Sequence, residues 1–333
     1  MSDVADRVVE RAEEHRRELL GYCYRMLGTA SEAEDAVQET MLRAWRSADR
    51  FEERSSIRTW VHRIATNVCL DMRKTPQRRA LPMDLAAPGD LGDGAPDLAT
   101  LPAETWIGPI RTDLLGDDPG DAVVRRDSVA LALLSALQQL PPRQRAVVVL
   151  RDVLAWSAAE CAEVLDTSVA SVSSALARAR STLAGSAGRR PTAPTSLDEA
   201  RALERYVAAF EAYDVDRLVT LLADDVVFSM PPYALWFRGA ERVEAWWRGP
   251  GEVCRGSLAV VTSANRRPAV GVYHPTGDDR WEPFALHVLD VDAEGRLAAI
   301  THFMGPAVFA ELGLPDSLGP DDRRHDGVDG DLR

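Results

Sequence analysis

The sequence predicts a multidomain protein in which two all-α segments, the second ending in a helix-turn-helix, precede a C-terminal α+β domain. The chain has 333 residues, more than one ordinary core accommodates. Apolar residues recur at helical spacing in two blocks, and strand-like segments follow only after them. The predicted divisions are 1–79, a linker at 80–124, 125–187, a linker at 188–196, an α+β domain at 197–312 and a flexible tail at 313–333.

The charge of the chain is distributed unevenly. The formal net charge is −13, from 39 Lys and Arg against 52 Asp and Glu, and this average argues against nucleic acid as a partner. By region, residues 43–79 carry +6 and 125–190 carry +4, whereas 80–124 carry −8 and 191–333 carry −10. The two basic blocks fit either DNA-facing surfaces or ordinary solvated helix faces.

The cysteines and the apolar runs exclude several classes of protein. The four cysteines lie far apart without C-x-x-C spacing, so we expect free thiols and no metal site. The N-terminus is charged throughout, and no apolar run approaches the roughly 20 residues that span a bilayer. We therefore expect a cytoplasmic protein without a membrane partner, and no cofactor.

In the first block, Ser31-Glu-Ala-Glu34 has the pattern of a capping box that opens a helix. A helix starting there buries one apolar face, formed by Ala33, Val37, Met41 and Ala44. A second, mixed stripe consists of Asp35, Gln38, Glu39 and Leu42. Such a stripe is most often solvated, but an exposed Leu among acidic residues also fits a docking surface for a basic partner helix.

A second helix is predicted from Ser56 to Lys74. Its apolar face holds Ile57, Trp60, Ile64, Val68 and Met72. Its other side is a basic and amide-bearing strip suited to phosphates and base edges, formed by Thr59, Arg63, Thr66, Asn67, Arg73 and Lys74. The preceding loop, 49–55, carries Phe51, which would either stack on a base or pack in the core.

The segments SEAEDAVQETMLRAW and FEERSSIRTWVHRIATNVCLD together resemble region 2 of the extracytoplasmic-function sigma factors of bacterial RNA polymerase. The resemblance implies that the first helix docks on the clamp helices of the largest polymerase subunit, through Asp35, Gln38, Glu39 and Leu42. It implies that loop 49–56 holds a base flipped out of the promoter −10 element. The implied −10 contacts are Phe51, Arg54, Ser55, Arg63, Asn67, Arg73 and Lys74.

The linker at 80–124 is rich in Pro, Gly and Asp and sustains no helical or strand period, so we expect an extended tether. Its apolar patch, 106–110, is a candidate for docking on protein. The resemblance implies that this linker threads through the active-site cleft and the RNA-exit path of the polymerase.

The second block has the order of a helix-turn-helix. An apolar helix at 128–140 ends at Pro141-Pro142, which open the next helix, and Ser157-Ala-Ala-Glu160 is a second capping box. A turn at 166–167 leads into the last helix, 168–183, whose N-terminal half would enter the major groove. Its predicted outward residues are Ser168, Ala170, Ser171, Ser174 and Arg178, and its inward residues are Val169, Val172 and Leu176.

The segment LPPRQRAVVVLRDVLAWSAAECAEVLDTSVASVSSALARARSTL resembles sigma region 4 over nearly its whole length. That resemblance implies that the five outward residues read the promoter −35 element and that the block also binds the flap of the second-largest polymerase subunit. Regions 2 and 4 in this order, without the intervening domains of larger sigma factors, define the extracytoplasmic-function group. Core RNA polymerase and promoter DNA are the implied partners.

The third domain is predicted to pair helices at 198–213, 216–223 and 239–248 with an antiparallel sheet whose strands lie near 225–230, 257–264, 268–274, 281–291 and 296–303. The phrases LLADDVVFSMPP and WFRGAERV resemble the SnoaL-like branch of the NTF2-like fold, a cone-shaped sheet around a pocket. The candidate lining of a small-molecule pocket is Trp236, Trp247, Trp281, His287 and His302.

These features predict a sigma factor whose activity is modulated in cis by the third domain. Two alternatives stay open. The third domain could be an active cyclase or isomerase, with Asp225, His287 and His302 as acid/base groups, although no activating third group is identifiable and we predict that it is not an enzyme. The helix-turn-helix could also belong to a repressor that needs no polymerase.

Overall fold

The structure is a computed structural model. It describes residues 2–51, 56–72, 78–91, 98–115, 129–186, 196–277, 279–320 and 322. The chain forms two compact units, each built from two stretches of sequence. Unit 1 is Met1–Asp84 with Pro102–Arg190, and unit 2 is Leu85–Leu101 with Pro191–Arg333. The predicted linker is therefore divided between the two units.

Unit 1 is helical, as its apolar periodicity predicts. Its helices are α1 Ser2–Glu13, α2 Arg16–Leu27, α3 Ala30–Arg46, α4 Ile57–Met72, α5 Pro82–Leu85, α6 Leu131–Gln138, α7 Pro142–Val148, α8 Ala158–Val164 and α9 Val169–Ser186. Helix α2 is buried over most of its length and packs against α3 and α4. Pro142 starts α7, because a proline suits the first turn of a helix, and a π turn at Val149–Val153 extends that helix.

The two predicted capping boxes differ in outcome. The box at Ser157 is confirmed, since the Glu160 backbone N–H donates to Ser157 Oγ and the Ser157 N–H donates to Glu160 Oε2. The box at Ser31 is wrong, because α3 starts earlier, with Thr29 as its N-cap and no side-chain capping bond. The predicted buried face of α3 is confirmed at Ala33, Val37, Met41 and Ala44.

The predicted faces of α4 are partly wrong. Thr59 and Thr66, placed on the polar side, are buried, and each hydroxyl also bonds within its own segment, with Ser56 Oγ and the His62 carbonyl respectively. Trp60 and Ile64 are only half-buried, and Met72 is 40% exposed. A helix packed against α2, α3 and α8 on several sides cannot have its buried face assigned from spacing alone.

The second half of the linker belongs to the core of unit 1. Trp106, Ile107 and Ile110 are buried, so the predicted apolar patch packs within this chain. The Gly108 N–H donates to the Gly28 carbonyl at 2.9 Å, and Tyr24 Oη donates to the Gly108 carbonyl at 2.7 Å. These bonds hold the segment on α2, so it is not a free tether.

Unit 2 combines helices with one sheet. Its helices are α10 Ser196–Glu211, α11 Val215–Val219, α12 Ala240–Arg248 and α13 Ala307–Leu312, and its strands are β1 Leu222–Ser229, β2 Trp236–Arg238, β3 Leu258–Ala264, β4 Arg267–Gly277, β5 Arg280–Val291 and β6 Leu297–Met304. The strand order is β2-β1-β6-β5-β4-β3. The β1–β6 pair is parallel, so the sheet is mixed and not antiparallel throughout.

The first half of the linker belongs to unit 2 and runs beside β2. The Gly89 N–H donates to the Trp236 carbonyl at 2.7 Å, and Trp236 Nε1 donates to the Ala86 carbonyl at 2.9 Å. Further along, the Leu101 N–H donates to the Pro232 carbonyl at 3.1 Å. A segment that separates the two helical blocks in sequence is thus part of the α+β unit. We call residues 85–101 the strap.

The start of the predicted tail is also folded. Helix α13 and the residues after it lie on the face of the sheet that carries Gly271, and Tyr273 Oη donates to the Pro315 carbonyl at 2.9 Å. A side chain at Gly271 would place its Cβ 2.8 Å from Leu314, so glycine allows this close approach. Residues 313–320 therefore pack on unit 2, and 321 and 323–333 lie outside the described residues.

Candidate nucleic-acid and polymerase interface

The predicted docking stripe lies on the surface of α3. Asp35 and Gln38 are exposed, Glu39 is half-buried, and Leu42 is 50% exposed. Trp45, one turn after Leu42, is 52% exposed and was missed, since its spacing alone gave no reason to place an aromatic ring outside. Large apolar side chains that remain this exposed on a helix with a well-buried opposite face are typical of a protein-docking surface.

The predicted −10 contacts fall into three groups. Asn67 is exposed on α4, and Arg63 is half-buried. Phe51 packs against Trp60, with ring centroids 5.0 Å apart, and lies near the Arg11 guanidinium. Its ring is therefore half-buried by contacts within the protein. The remaining four, Arg54, Ser55, Arg73 and Lys74, lie outside the described residues.

Arg63 is engaged within unit 1. Its Nη2 lies 3.3 Å from Glu163 Oε1, and its Nε donates to the Glu163 carbonyl at 3.2 Å. Glu163 belongs to α8 in the helix-turn-helix block. The helix that carries predicted −10 contacts is therefore packed against the block predicted to bind the −35 element.

A buried aromatic residue anchors this packing. Trp156, which precedes α8, is 2% exposed, with its ring 4.8 Å from the His62 ring and the Arg58 guanidinium 4.6 Å from its centroid. Arg58 is in turn paired with Glu18 at 2.7 Å. The site thus combines a cation–π contact, an ion pair and a buried imidazole from three segments. Sequence reasoning missed Trp156 and His62 because nothing in their local pattern indicates a distant partner.

Burial keeps His62 uncharged at neutral pH. The side chain is fully enclosed, and this loss of solvent lowers its pKa to about 4, although the nearby Glu18 carboxylate opposes the shift. Its Nδ1 bonds the Arg58 carbonyl at 2.9 Å. The imidazole therefore acts here as a neutral aromatic platform for Trp156.

A buried arginine makes a second connection between the two blocks. Arg145 of α7 is 3% exposed, and its guanidinium donates to carbonyls at the end of α6, including Leu137 at 2.9 Å. It also donates to the Gln138 side chain and to the Met26 carbonyl of α2. Because helix-terminal carbonyls lack partners inside their own helix, one guanidinium satisfies the ends of both α6 and α2.

The predicted −35 residues are all exposed on α9 and its N-cap. Ser168, Ala170, Ser171, Ser174 and Arg178 face outward. Ser168 Oγ accepts the Ser171 N–H at 3.1 Å, which fixes the start of the helix. Val172 and Leu176 are buried as predicted, but Val169 is 48% exposed and its inward placement is wrong, because it lies in the first turn. Five small or basic side chains on one exposed helical surface suit a major groove.

The five candidate pocket residues of unit 2 separate into two kinds. Trp236 donates to the Ala86 carbonyl of the strap, and Trp281 donates to the Gly256 carbonyl at 2.9 Å, so both have structural partners. Trp247 Nε1, His287 Nε2 and His302 Nε2 are buried without a hydrogen-bond partner among the described residues. Buried polar atoms of this kind are uncommon and mark a place where water or a ligand could bind.

The two histidines form a stacked pair inside the core. Their ring centroids are 3.4 Å apart with an interplanar angle of 6°, and Tyr206 Oη bonds His287 Nδ1 at 2.9 Å. Burial lowers the pKa of His302 to about 3 and that of His287 well below its ordinary value. Asp225, the third candidate acid/base group, is exposed, so the structure does not bring it into the core with the histidines.

Among the described residues there is no cluster of three metal-ligating side chains, and no described helix is long and apolar enough to cross a membrane.

Comparison with known proteins finds family matches for both units. Family models match residues 12–79 as Sigma-70 region 2, 130–183 as Sigma-70 region 4 and 203–303 as a SnoaL-like domain. Over 317 residues the chain is 44% identical to the ECF RNA polymerase sigma factor SigG of Mycobacterium tuberculosis, covering 92% of this chain and 83% of the relative. The protein belongs to the ECF sigma factors. The predicted family is confirmed, and so is the predicted function of polymerase binding and promoter recognition.

Two further relatives agree with this family. The ECF sigma factor SigJ of M. tuberculosis is 28% identical over 316 residues, covering 90% of this chain and 93% of the relative. A crystal structure of SigJ matches with a TM-score of 0.61 at 26% identity and covers 92% of this chain and all of the SigJ chain. This ECF sigma factor therefore partners with core RNA polymerase and promoter DNA, and unit 1 holds its regions 2 and 4.

Proposed function

We propose that this sigma factor docks on core polymerase through the exposed face of α3, contacts the −10 element through α4 and reads the −35 element through α9. The observation that carries the proposal is that Asp35, Gln38 and Leu42 of α3 and the outward residues of α9 are exposed, together with Asn67 of α4. The subunits involved would be those the family resemblance implies: the clamp helices of the largest subunit and the flap of the second-largest. The site of action would be the cytoplasm.

Run-off transcription with purified core polymerase tests this assignment. Leu42→Arg should weaken core binding, because it replaces an exposed apolar contact with a cation that repels a basic partner helix. Duplex binding by α9 should be retained. Arg178→Ala should leave core binding intact and reduce transcription. If full-length protein supports no transcription but binds duplex DNA tightly without core, the repressor alternative takes its place.

We also propose that the packing of region 4 on α4 is a closed form that must open on the polymerase. The support is that Arg63, a predicted −10 contact, is held by Glu163 of region 4. Trp156 and Arg145 add buried contacts to the same arrangement. Surface ion pairs contribute only about 0–1 kcal/mol, so the buried contacts would provide most of the closure.

We propose further that the SnoaL-like domain modulates the sigma regions in cis by holding the strap. The two hydrogen bonds between Trp236 and the strap, and the packing of Leu91 against the core of unit 2, support this idea. A linker held by the third domain is restricted in the paths it can follow through the polymerase. A small molecule could act on this device only by binding its held and released states unequally.

A glycine in the strap supplies the test. A Cβ at Gly89 would lie 2.6 Å from Leu235 Cδ1 and 3.3 Å from Phe237, so Gly89→Val should displace the strap from unit 2. We expect this release to raise the apparent affinity for core polymerase. Gly319→Val is the control, since its Cβ would meet only the Asp322 carboxylate, at 3.7 Å. Equal core affinity and equal transcription in both variants would reject modulation through the strap.

A further inference from the structure

The six-stranded sheet of unit 2 has two edges, and the described segments cover only one of them. The strap lies beside β2 and the residues before it, where the N–H groups of Gly89 and Leu101 donate to the carbonyls of Trp236 and Pro232. The other edge is β3, which pairs with β4 on one side. No described segment forms a strand on the outer side of β3.

The hairpin between β3 and β4 determines which backbone groups of β3 point outward. Ala264 and Arg267 flank a two-residue turn at 265–266, and both residues of that turn have a φ of +55°. Such a turn joins its flanking residues by hydrogen bonds, and bonded residues then alternate along an antiparallel strand. The even-numbered residues of β3 therefore bond β4. The odd-numbered residues within 259–263 direct their N–H and carbonyl groups away from the sheet.

One of these outward groups is already used. The Ala259 N–H donates to Glu211 Oε1 of α10 at 2.9 Å, as its outward direction requires. Within the part of the chain that the structure describes, the backbone groups of Val261 and Ser263 have no hydrogen-bond partner. Both residues are exposed, Val261 by 56%. The strand LAVVTSA also lacks the charged residues and prolines that prevent pairing at edge strands, so this edge suits an added strand.

A second copy of β3 satisfies these groups about a two-fold axis. When Thr262 of one copy lies opposite Thr262 of the other, Val261 of each copy faces Ser263 of its mate, and the two exchange both backbone hydrogen bonds. The outward N–H and carbonyl groups of Val261 and Ser263 are then all paired in both copies, and the Glu211 bond to Ala259 is kept. The two Thr262 side chains meet at a non-hydrogen-bonded position, where opposing side chains come closest.

Charge complementarity also favours a second copy over an unrelated strand. In this register Ala259 of one copy lies opposite residue 265 of the other. The Glu211 carboxylate, which is bonded to Ala259, therefore comes beside Arg266 of the other copy, and the two-fold axis repeats this approach at the other end. An unrelated strand carries a cation at that position only by chance.

We propose that this protein self-associates through β3, with two unit 2 sheets joined antiparallel into one continuous sheet and Thr262 on the two-fold axis. This association is independent of the proposed function, since it uses no residue of α3, α4 or α9. A pair of short strands buries less than the about 1,200 Å² of a standard interface, so we expect a dimer that forms reversibly with rising concentration.

Sedimentation equilibrium of the full chain over a range of concentrations measures the dimer. Ser263→Pro removes one outward N–H from each copy but leaves the ladder with β4 intact, because edge strands tolerate a proline at such a position. The loss of two hydrogen bonds should raise the dimer Kd about 5- to 150-fold. Val261→Lys should also weaken the dimer by placing two cations close together. Leu197→Lys is the matched control, since Leu197 is 67% exposed on α10 and lies outside β3.

Cysteine cross-linking tests the register. The Cα atoms of two opposed Thr262 residues would lie about 4.5 Å apart, within the range that a disulfide spans, so Thr262→Cys should give a covalent dimer when oxidised with diamide. Val260→Cys is the matched control on the same face of β3. Its two copies would be about 13 Å apart along the strands and should not cross-link.

Four results would overturn the proposal. The mass of a single chain at every concentration would exclude the dimer. A dimer that both Ser263→Pro and Val261→Lys leave unchanged would use another surface. Equal cross-linking of Val260→Cys and Thr262→Cys would reject the two-fold register. Cross-linking of Thr262→Cys to a polymerase subunit in the holoenzyme, and not to a second copy, would assign the edge to a strand of polymerase.

Discussion

The contact of Trp156 with α4 gives the most direct test of the closed form. Trp156→Ala removes a 2% exposed indole, and buried Trp→Ala substitutions cost about 3–5 kcal/mol in total. Only part of that cost concerns closure. The cation–π contact with Arg58 contributes about 0.5–2 kcal/mol and the aromatic contact with His62 about 0.5–1.5 kcal/mol. Losing both contacts should therefore shift the closed-to-open ratio by about 5- to 300-fold.

Native-state hydrogen exchange of the α4 and α8 amides measures this opening free energy locally. A double-mutant cycle of Trp156→Ala with Arg58→Met isolates the free energy of the contact between region 4 and α4. The packing that Trp156→Ala loses inside region 4 is the same with and without Arg58, so it cancels in the cycle. We expect a coupling energy of about 0.5–2 kcal/mol between the two residues. The control pair is Trp156→Ala with Arg16→Ala, which share no contact and should be additive.

Two outcomes would refute the reasoning. A coupling energy indistinguishable from zero would mean that the cation–π contact does not hold the blocks together. Faster exchange confined to region 4, with α4 amides unchanged, would mean that Trp156 stabilises only its own block. In either case the closed form would have to rest on Arg145 and the Arg63–Glu163 pair.

Three more predictions concern stability. The pKa of His62 is depressed to about 4 in the folded state, so between pH 6.5 and 4 the unfolded chain binds a proton that the folded chain does not. The free energy of unfolding of unit 1 should therefore fall by up to about 3 kcal/mol over this range. His62→Gln should flatten this pH dependence in urea titrations. Ser157→Ala should cost about 1 kcal/mol, and Ser31→Ala, which removes no capping bond, much less; equal costs by thermal unfolding would contradict the capping assignment. Gly271→Val should cost about 1–3 kcal/mol by forcing the C-terminal segment off the sheet, and unchanged proteolysis after α13 would contradict it.

Several surfaces could be predicted because they depend on local spacing. The outward residues of α9 follow from a helix that buries Val172 and Leu176, and the α3 stripe follows from the burial of Val37 and Met41. Both helices have one buried face, so the 3.6-residue period also predicts which of their residues face outward. The Ser157 box was predictable for the same reason, since all its atoms lie within one turn.

Other features depended on partners distant in sequence. Thr66 is buried in α4 because Tyr22 Oη lies 2.8 Å from its hydroxyl, and the spacing of α4 alone placed it outside. His62, Arg145 and Trp156 have no local pattern that marks them as contacts between regions. The buried polar atoms of Trp247, His287 and His302 that lack a hydrogen-bond partner among the described residues could likewise be recognised only from the packed structure of unit 2.

The sequence by itself determined the family, the order of the three domains and the outward faces of helices with a single buried side, because motifs and periodicity are local. Only the tertiary structure decided that the linker is divided, with 85–101 in the SnoaL-like unit and 102–115 in the sigma unit. It also decided that Arg63 is engaged by region 4. The physical reason is that an acidic, Pro- and Gly-rich segment has no periodicity of its own. Its place is set by the backbone carbonyls to which it donates hydrogen bonds, that of Trp236 in β2 and that of Gly28 just after α2.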